Sequence, residues 1–193
     1  DGMTGPYKNQ DKTLEYPGMA RYSFASLVWE KKATEDLLGL VKHIEARADG
    51  NRVIGYFLLA GTCGEWTFWG DFDHETKMFD YSPAMLEQFK KWVTGHYDSN
   101  IEKLRTAWHE EIPGFENISI PGRKERSDYS LYNFRSPSRN QKTIDYISCL
   151  NDVMIDRAIS FGSAIKKASS RKIITGCFWG YVTGGDPIFG KHL

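Results

Sequence analysis

Arg52-Val53-Ile54-Gly55-Tyr56-Phe57-Leu58-Leu59-Ala60, running directly into Gly61-Thr62-Cys63-Gly64-Glu65-Trp66, is the stretch whose reading decides the fold. From Val53 onward the first part is continuously apolar, with no polar–apolar alternation. That pattern predicts a strand buried on both faces within a parallel sheet. The Gly-rich hexapeptide then occupies the loop at the strand's carboxyl end, where parallel α/β architectures place their chemistry. Glu65 is thereby singled out as a carboxylic acid at a strand end, flanked by Trp66, Phe68 and Trp69.

Working outward, Ser26 is placed to cap a helix reaching about Arg47, because Leu37, Val41 and Ile44 recur at intervals of three and four and Trp29 extends the stripe. Asp49-Gly50-Asn51 stops it. After the Glu65 loop, Ser82-Pro83 reads as an N-cap with Pro at the first helical position, and Leu86, Phe89, Trp92 and Val93 supply a buried face. Ser99-x-x-Glu102 reads as a capping box for a shorter helix bearing Ile101, Leu104 and Trp108. Ile112 to Pro137 lacks a period and is expected to be a long irregular excursion. A sustained three-four pattern from about Asn140 to Ala168 predicts a long helix, and Lys172 to Phe178 a second buried strand ending in Trp179-Gly180-Tyr181. A helix between two buried strands implies a parallel crossover. Residues 1–17, polar with Gly and Pro, read as loop.

The bulk composition narrows the function classes. Lys and Arg are balanced at 25 by 25 Asp and Glu, so no basic face for nucleic acid and no polybasic tract for an anionic membrane is expected. The longest apolar run, Val53 to Ala60, falls well short of the ~20 residues that cross a bilayer. Cys63, Cys149 and Cys177 are scattered without a C-x-x-C pair, which argues for reduced thiols and against a zinc site. Asp71, Asp73, His74 and Glu75 cluster, yet lack the Gly and distal Glu of a calcium loop and read as a solvated acidic loop. No metal or other cofactor is expected. Aromatics make up 14% of the chain, with six Trp, and those near the strand ends could wall a sugar cleft or simply pack the core.

The stretch Tyr81 to Trp108 then resembles a helical segment of family 42 glycoside hydrolases: Phe89-x-x-Trp92-Val93-x-x-x-Tyr97, followed by Leu104-x-x-Ala107-Trp108. Phe115 to Pro121 is similar to that family's Phe-x-x-Ile-x-x-Pro sequel, and Ile173 to Tyr181 to its next strand. The resemblance spans roughly Ser26 to Tyr181. It implies an α/β chain that is part of a (β/α)8 TIM barrel, with Val53–Ala60 as strand four, Lys172–Phe178 as strand five and long helical insertions between them. A whole barrel takes ~250 residues and eight strands, so the resemblance makes residues 1–193 a single barrel segment, incomplete at both ends.

The activity implied is retaining hydrolysis of β-galactosides or similar sugars, with Glu65 as general acid/base. Retention uses two carboxyl groups about 5 to 5.5 Å apart; the nucleophile, on strand seven in this clan, would lie outside the chain, leaving the segment alone inactive. Apolar neighbours of Glu65 would raise its pKa by desolvation. Trp66, Trp69, His74, Trp179 and Tyr181 are the candidate sugar-binding residues. One departure stands out: the family places Asn immediately before its acid/base glutamate, and this chain has Gly64. That substitution favours one rival reading, a non-catalytic carbohydrate-binding relative. An unrelated α/β interaction module is another rival, expected to show a closed, well-covered sheet. A carbohydrate is the expected partner; compartment and homo-oligomerisation stay open.

Overall fold

A computed structural model describes residues 22–60, 64, 66, 80–128 and 135–179. Ser26 opens α1 (Leu27–Glu45), its hydroxyl oxygen accepting the Trp29 N–H at 3.2 Å and so satisfying one of the donors that a helix start leaves without a partner. Trp29, Ala33, Leu37 and Val41 form the inward stripe. The helix ends at Glu45, short of Arg47, and Gly50–Arg52 form a single 3-10 turn that leads into β1 (Gly55–Leu58).

α2 (Pro83–His96) starts as its sequence requires: Ser82 accepts from the Met85 N–H at 3.1 Å and Pro83 fills the first turn, where its missing N–H costs nothing. α3 (Ile101–Trp108) does not start at the expected box. Its cap is Asn100, whose side-chain oxygen accepts from the N–H groups of Glu102 and Lys103, at 3.0 and 3.2 Å. Ser99 instead has φ +58 and Asp98 φ +54, so the chain turns through the left-handed region before the helix begins. The stretch read as irregular carries a 3-10 turn at Phe115–Asn117 and one helical turn, α4 (Arg123–Arg126). α5 (Pro137–Ala168) breaks helical geometry at Asn140 (φ −125, ψ 19) and is regular beyond it. β2 (Ile174–Cys177) completes the described elements.

The two strands pair in parallel, Gly55 with Ile174 through Leu58 with Cys177. Their amino ends are clamped by charge-assisted hydrogen bonds. The Glu45 carboxylate accepts from the Ser169 hydroxyl and from the N–H and hydroxyl of Ser170, while the Arg171 guanidinium donates to the carbonyls of Gly50, Asn51 and Val53. α5 packs against α1, α2, α3 and β2. It approaches the sheet closely at Gly162, where a Cβ would lie 3.1 Å from the Thr175 hydroxyl oxygen.

One expectation is corrected. Among the described residues β1 is covered on one face only: Tyr56 and Leu58 turn toward the helices, whereas Phe57 and, just past the strand, Leu59 are 52% and 67% exposed. In a parallel pair, partners share a face; Ile174, the partner of Gly55 on this face, is 66% exposed, and Phe178, just past β2, is 61% exposed. Phe57 and Phe178 pack edge to face at 4.7 Å. All the described helices that reach the sheet lie on the other side. Among the described residues the sheet has two strands and closes into no barrel, and no helix is long and apolar enough to cross a membrane.

Candidate active site

Beyond Leu58 and Cys177 the chain forms the carboxyl-end loops of the strand pair. Gly64 takes φ +82, a left-handed conformation that glycine adopts without the steric cost a Cβ brings, and its carbonyl accepts the Ala60 N–H at 3.3 Å. Two residues later the chain rejoins the sheet. Trp66 forms a parallel bridge with Trp179, and its backbone N–H donates to the Phe178 carbonyl at 3.0 Å. Its indole N–H donates to the Leu58 carbonyl at 3.2 Å.

The rings of Trp66 and Trp179 stack at 6.4 Å with their planes 20° apart. Phe24 and Phe161 enclose Trp66 further, at 5.9 and 6.2 Å. Only 1% of Trp66 is exposed, so it has no free face to offer a sugar, and of the two readings open to it the packing one describes its surroundings. Trp179 is 38% exposed and does keep surface open. Glu65, Trp69, His74 and Tyr181 lie outside the described residues, as do the Asp71–Glu75 cluster and Cys63. Alongside β1 a largely apolar cleft of about 530 Å³ runs between the strand and α1, lined by Trp29, Leu37, Tyr56 and Trp66 among others.

Two buried carboxyl groups were not anticipated from the sequence. Asp80, just ahead of α2, accepts the Ser82 N–H at 2.7 Å, while the Tyr146 hydroxyl donates to its backbone carbonyl. Burial pushes the Asp80 carboxyl above its ordinary range, opposed by hydrogen bonds from Ser23 and Ser82 and by the charge of Arg126. Asp145 on α5 accepts from Tyr97, Trp108 and Gln141 at 2.6, 2.6 and 2.7 Å. Burial, and then the hydrogen bond to this carboxylate, push the Tyr97 hydroxyl far up. Neither aspartate lies at the strand ends: both tie helices together. Nothing in local spacing marks them, since a polar residue within an apolar stripe reveals its partners only once the helices meet. Cys149 is buried with its thiol pushed far up by desolvation, and such a thiol is unreactive at neutral pH. Among the described residues no three His, Cys, Asp or Glu side chains gather as a metal site.

Comparison with known proteins decides the relationship. The β-galactosidase model of glycoside hydrolase family 42 matches residues 65–189. The chain belongs to that family. The resemblance read from Tyr81–Trp108 is thus correct, although the family match starts at Glu65 and leaves α1 and β1 before it. Among solved structures, a β-galactosidase from the psychrophilic Marinomonas ef1 superposes with a TM-score of 0.60 at 18% identity, over 90% of this chain and 24% of that one. The family 42 chain therefore spans about a quarter of the length of that relative. Comparison with curated proteins gives no match.

In this light the residues that carried the resemblance are packing residues. Phe89 and Trp108 stack at 6.0 Å, Tyr97 and Trp108 share Asp145, and Trp92 donates to Asp152 at 2.6 Å. They build the helical platform behind the sheet and stand away from the strand ends.

Proposed function

We propose that this chain is part of a retaining glycoside hydrolase acting on β-galactosides or related sugars, with Glu65 as its general acid/base. The observation that carries the reading is the parallel β1/β2 pair, whose carboxyl ends bring Gly64, Trp66 and Trp179 together. Glu65 is covalently joined to the first two of these. In (β/α) barrels that end of the sheet carries the catalytic residues. The acid protonates the glycosidic oxygen as a carboxylate attacks the anomeric carbon, and then, as a base, takes a proton from the water that releases the sugar. The attacking carboxylate is proposed to come from outside residues 1–193. Trp69, His74, Trp179 and Tyr181 are the proposed sugar contacts; the partial exposure of Trp179 supports this.

The half-covered sheet favours a segment of a (β/α)8 barrel over a self-contained interaction module. Phe57, Leu59, Ile174 and Phe178 lie on the face opposite the helices, which in a barrel is the packed interior, filled mainly by bulky apolar side chains. A closed module would have covered them. The second reading, a non-catalytic sugar-binding relative, is favoured by Gly64, which stands where the resemblance expects an asparagine.

Aryl β-galactoside hydrolysis by the full-length protein and its Glu65→Gln variant tests the proposal. A loss of about 100-fold or more in the variant is expected for a general acid/base. Unchanged activity would remove Glu65 from that role. Sugar binding by calorimetry with no turnover in the unsubstituted protein would select the binding relative.

A further inference from the structure

We infer that Trp66 is a positioning residue for the acid/base, acting through its indole N–H. The inference rests on the reading of Glu65 above. A buried Trp needs a partner for its N–H, and here the partner is the carbonyl of Leu58, the last residue of β1. That bond closes the loop between residues 58 and 66 from the side-chain direction. The backbone N–H of Trp66 closes it from the other, on the Phe178 carbonyl that follows β2. One residue is therefore tied to both strands at once, with its ring wedged among Phe24, Phe161 and Trp179.

The peptide bond sets the consequence. Consecutive Cα atoms are about 3.8 Å apart, so the anchor at Trp66 limits where residue 65 can lie, and weakening the anchor loosens that limit. Proton transfer to a leaving oxygen demands hydrogen-bond geometry, and a misplacement of about 1 Å can cost roughly 100-fold. A ring held only by packing can slide within its pocket. The N–H to carbonyl bond sets the distance from the ring to the end of β1, and Gly64 at φ +82 lets the chain rejoin the sheet so soon after Ala60.

The test separates positioning from packing. In the full-length protein, Trp66→Phe removes the N–H and part of the ring, whereas β-(3-benzothienyl)alanine, placed at position 66 alone, keeps the ring volume and removes only the donor. Hydrolysis that needs full protonation of its leaving group, from an alkyl β-galactoside, is compared with dinitrophenyl β-galactoside, which needs little. Positioning predicts that the benzothienyl protein loses about 10-fold or more in kcat/KM on the alkyl substrate, stays within about 2-fold on the dinitrophenyl one, and unfolds at a midpoint lowered only by the loss of one buried hydrogen bond. Equal losses on both substrates, or none, would overturn the inference and leave Trp66 a packing residue. If Trp66→Phe fails to fold, the isosteric replacement still decides. Glu65→Gln, run beside them, separates the two claims. If it shows the leaving-group dependence and the benzothienyl protein does not, the inference fails alone; if it is fully active on both substrates, the acid/base reading falls and the inference with it.

Discussion

Trp108 on α3 donates its indole N–H to the carboxylate of Asp145 on α5 at 2.6 Å. The Tyr97 hydroxyl at the end of α2 reaches the same oxygen, and Gln141 the other. One buried carboxylate thus joins three helices. Removing it would leave buried donors without an acceptor, each costing about 1–3 kcal/mol. Asp145→Ala is expected to destabilise by about 3 kcal/mol or more in urea unfolding with an unchanged m-value. Asp145→Asn, which keeps one acceptor oxygen, should cost less. A loss below about 1 kcal/mol for the Ala variant would show that these bonds add little.

Asp80 contributes a pH dependence of defined sign. Burial raises its carboxyl above the ordinary value of 3.8 in the folded chain, against Ser23, Ser82 and Arg126. The folded state therefore holds that proton more tightly than the unfolded one. Its contribution is most favourable below the unfolded pKa and declines as pH rises through the raised folded value. The difference in unfolding free energy between the unsubstituted protein and Asp80→Asn should accordingly shrink, or turn in favour of the variant, as pH rises from about 4 to 7. A flat difference across that range would exclude Asp80 as the source.

Gly64 has room for a side chain but not the backbone for one. A Cβ there would meet the Leu59 side chain at 3.6 Å, an ordinary contact, yet φ is +82. Gly64→Ala is expected to cost about 1–2 kcal/mol through backbone strain. Gly64→Asn, the residue the family resemblance calls for, should cost less, because Asn tolerates the left-handed region better than other residues. Thermal unfolding of both variants checks the order; Ala at or below Asn in cost would argue that this loop rearranges.

The exposed sheet face gives a direct test of the barrel proposal. In the 193-residue chain by itself, Phe57→Lys with Phe178→Lys should cost only about 1 kcal/mol, mostly the edge-to-face pair, because both rings are already over half exposed. In the full-length protein the same pair would place two charges in a packed barrel interior and is expected to cost several kcal/mol or prevent folding. The same small cost in both contexts would sink the assignment of this face to a barrel interior.

Much of the local structure was legible before any tertiary contact was known. The caps at Ser26 and Ser82, Pro83 in the first turn, the stripe from Trp29 to Val41 and the parallel pairing of the two apolar runs were all read correctly. So was the family, from the resemblance of α2 and α3 to a family 42 segment. The cap of α3 was misread by one residue because Ser99-x-x-Glu102 and Asn100 compete for the same helix start, and the left-handed turn at Asp98-Ser99 favours Asn100. The continuous apolarity of Val53–Ala60 predicts burial on both faces, but the described helices reach only one.

The sequence by itself determined where helices start and where the two strands run, because capping and periodicity are short-range properties, and its motifs carried the resemblance to the family. Only the tertiary structure decided that Trp66 is an enclosed anchor between two strand ends, that Asp145 joins three helices and that Phe57 lies on the sheet face away from the described helices. Burial and hydrogen-bond partnership depend on which distant segments meet, and for Trp66 those segments are residues 24, 161 and 178–179, brought to it by the packing of α1, α5 and β2.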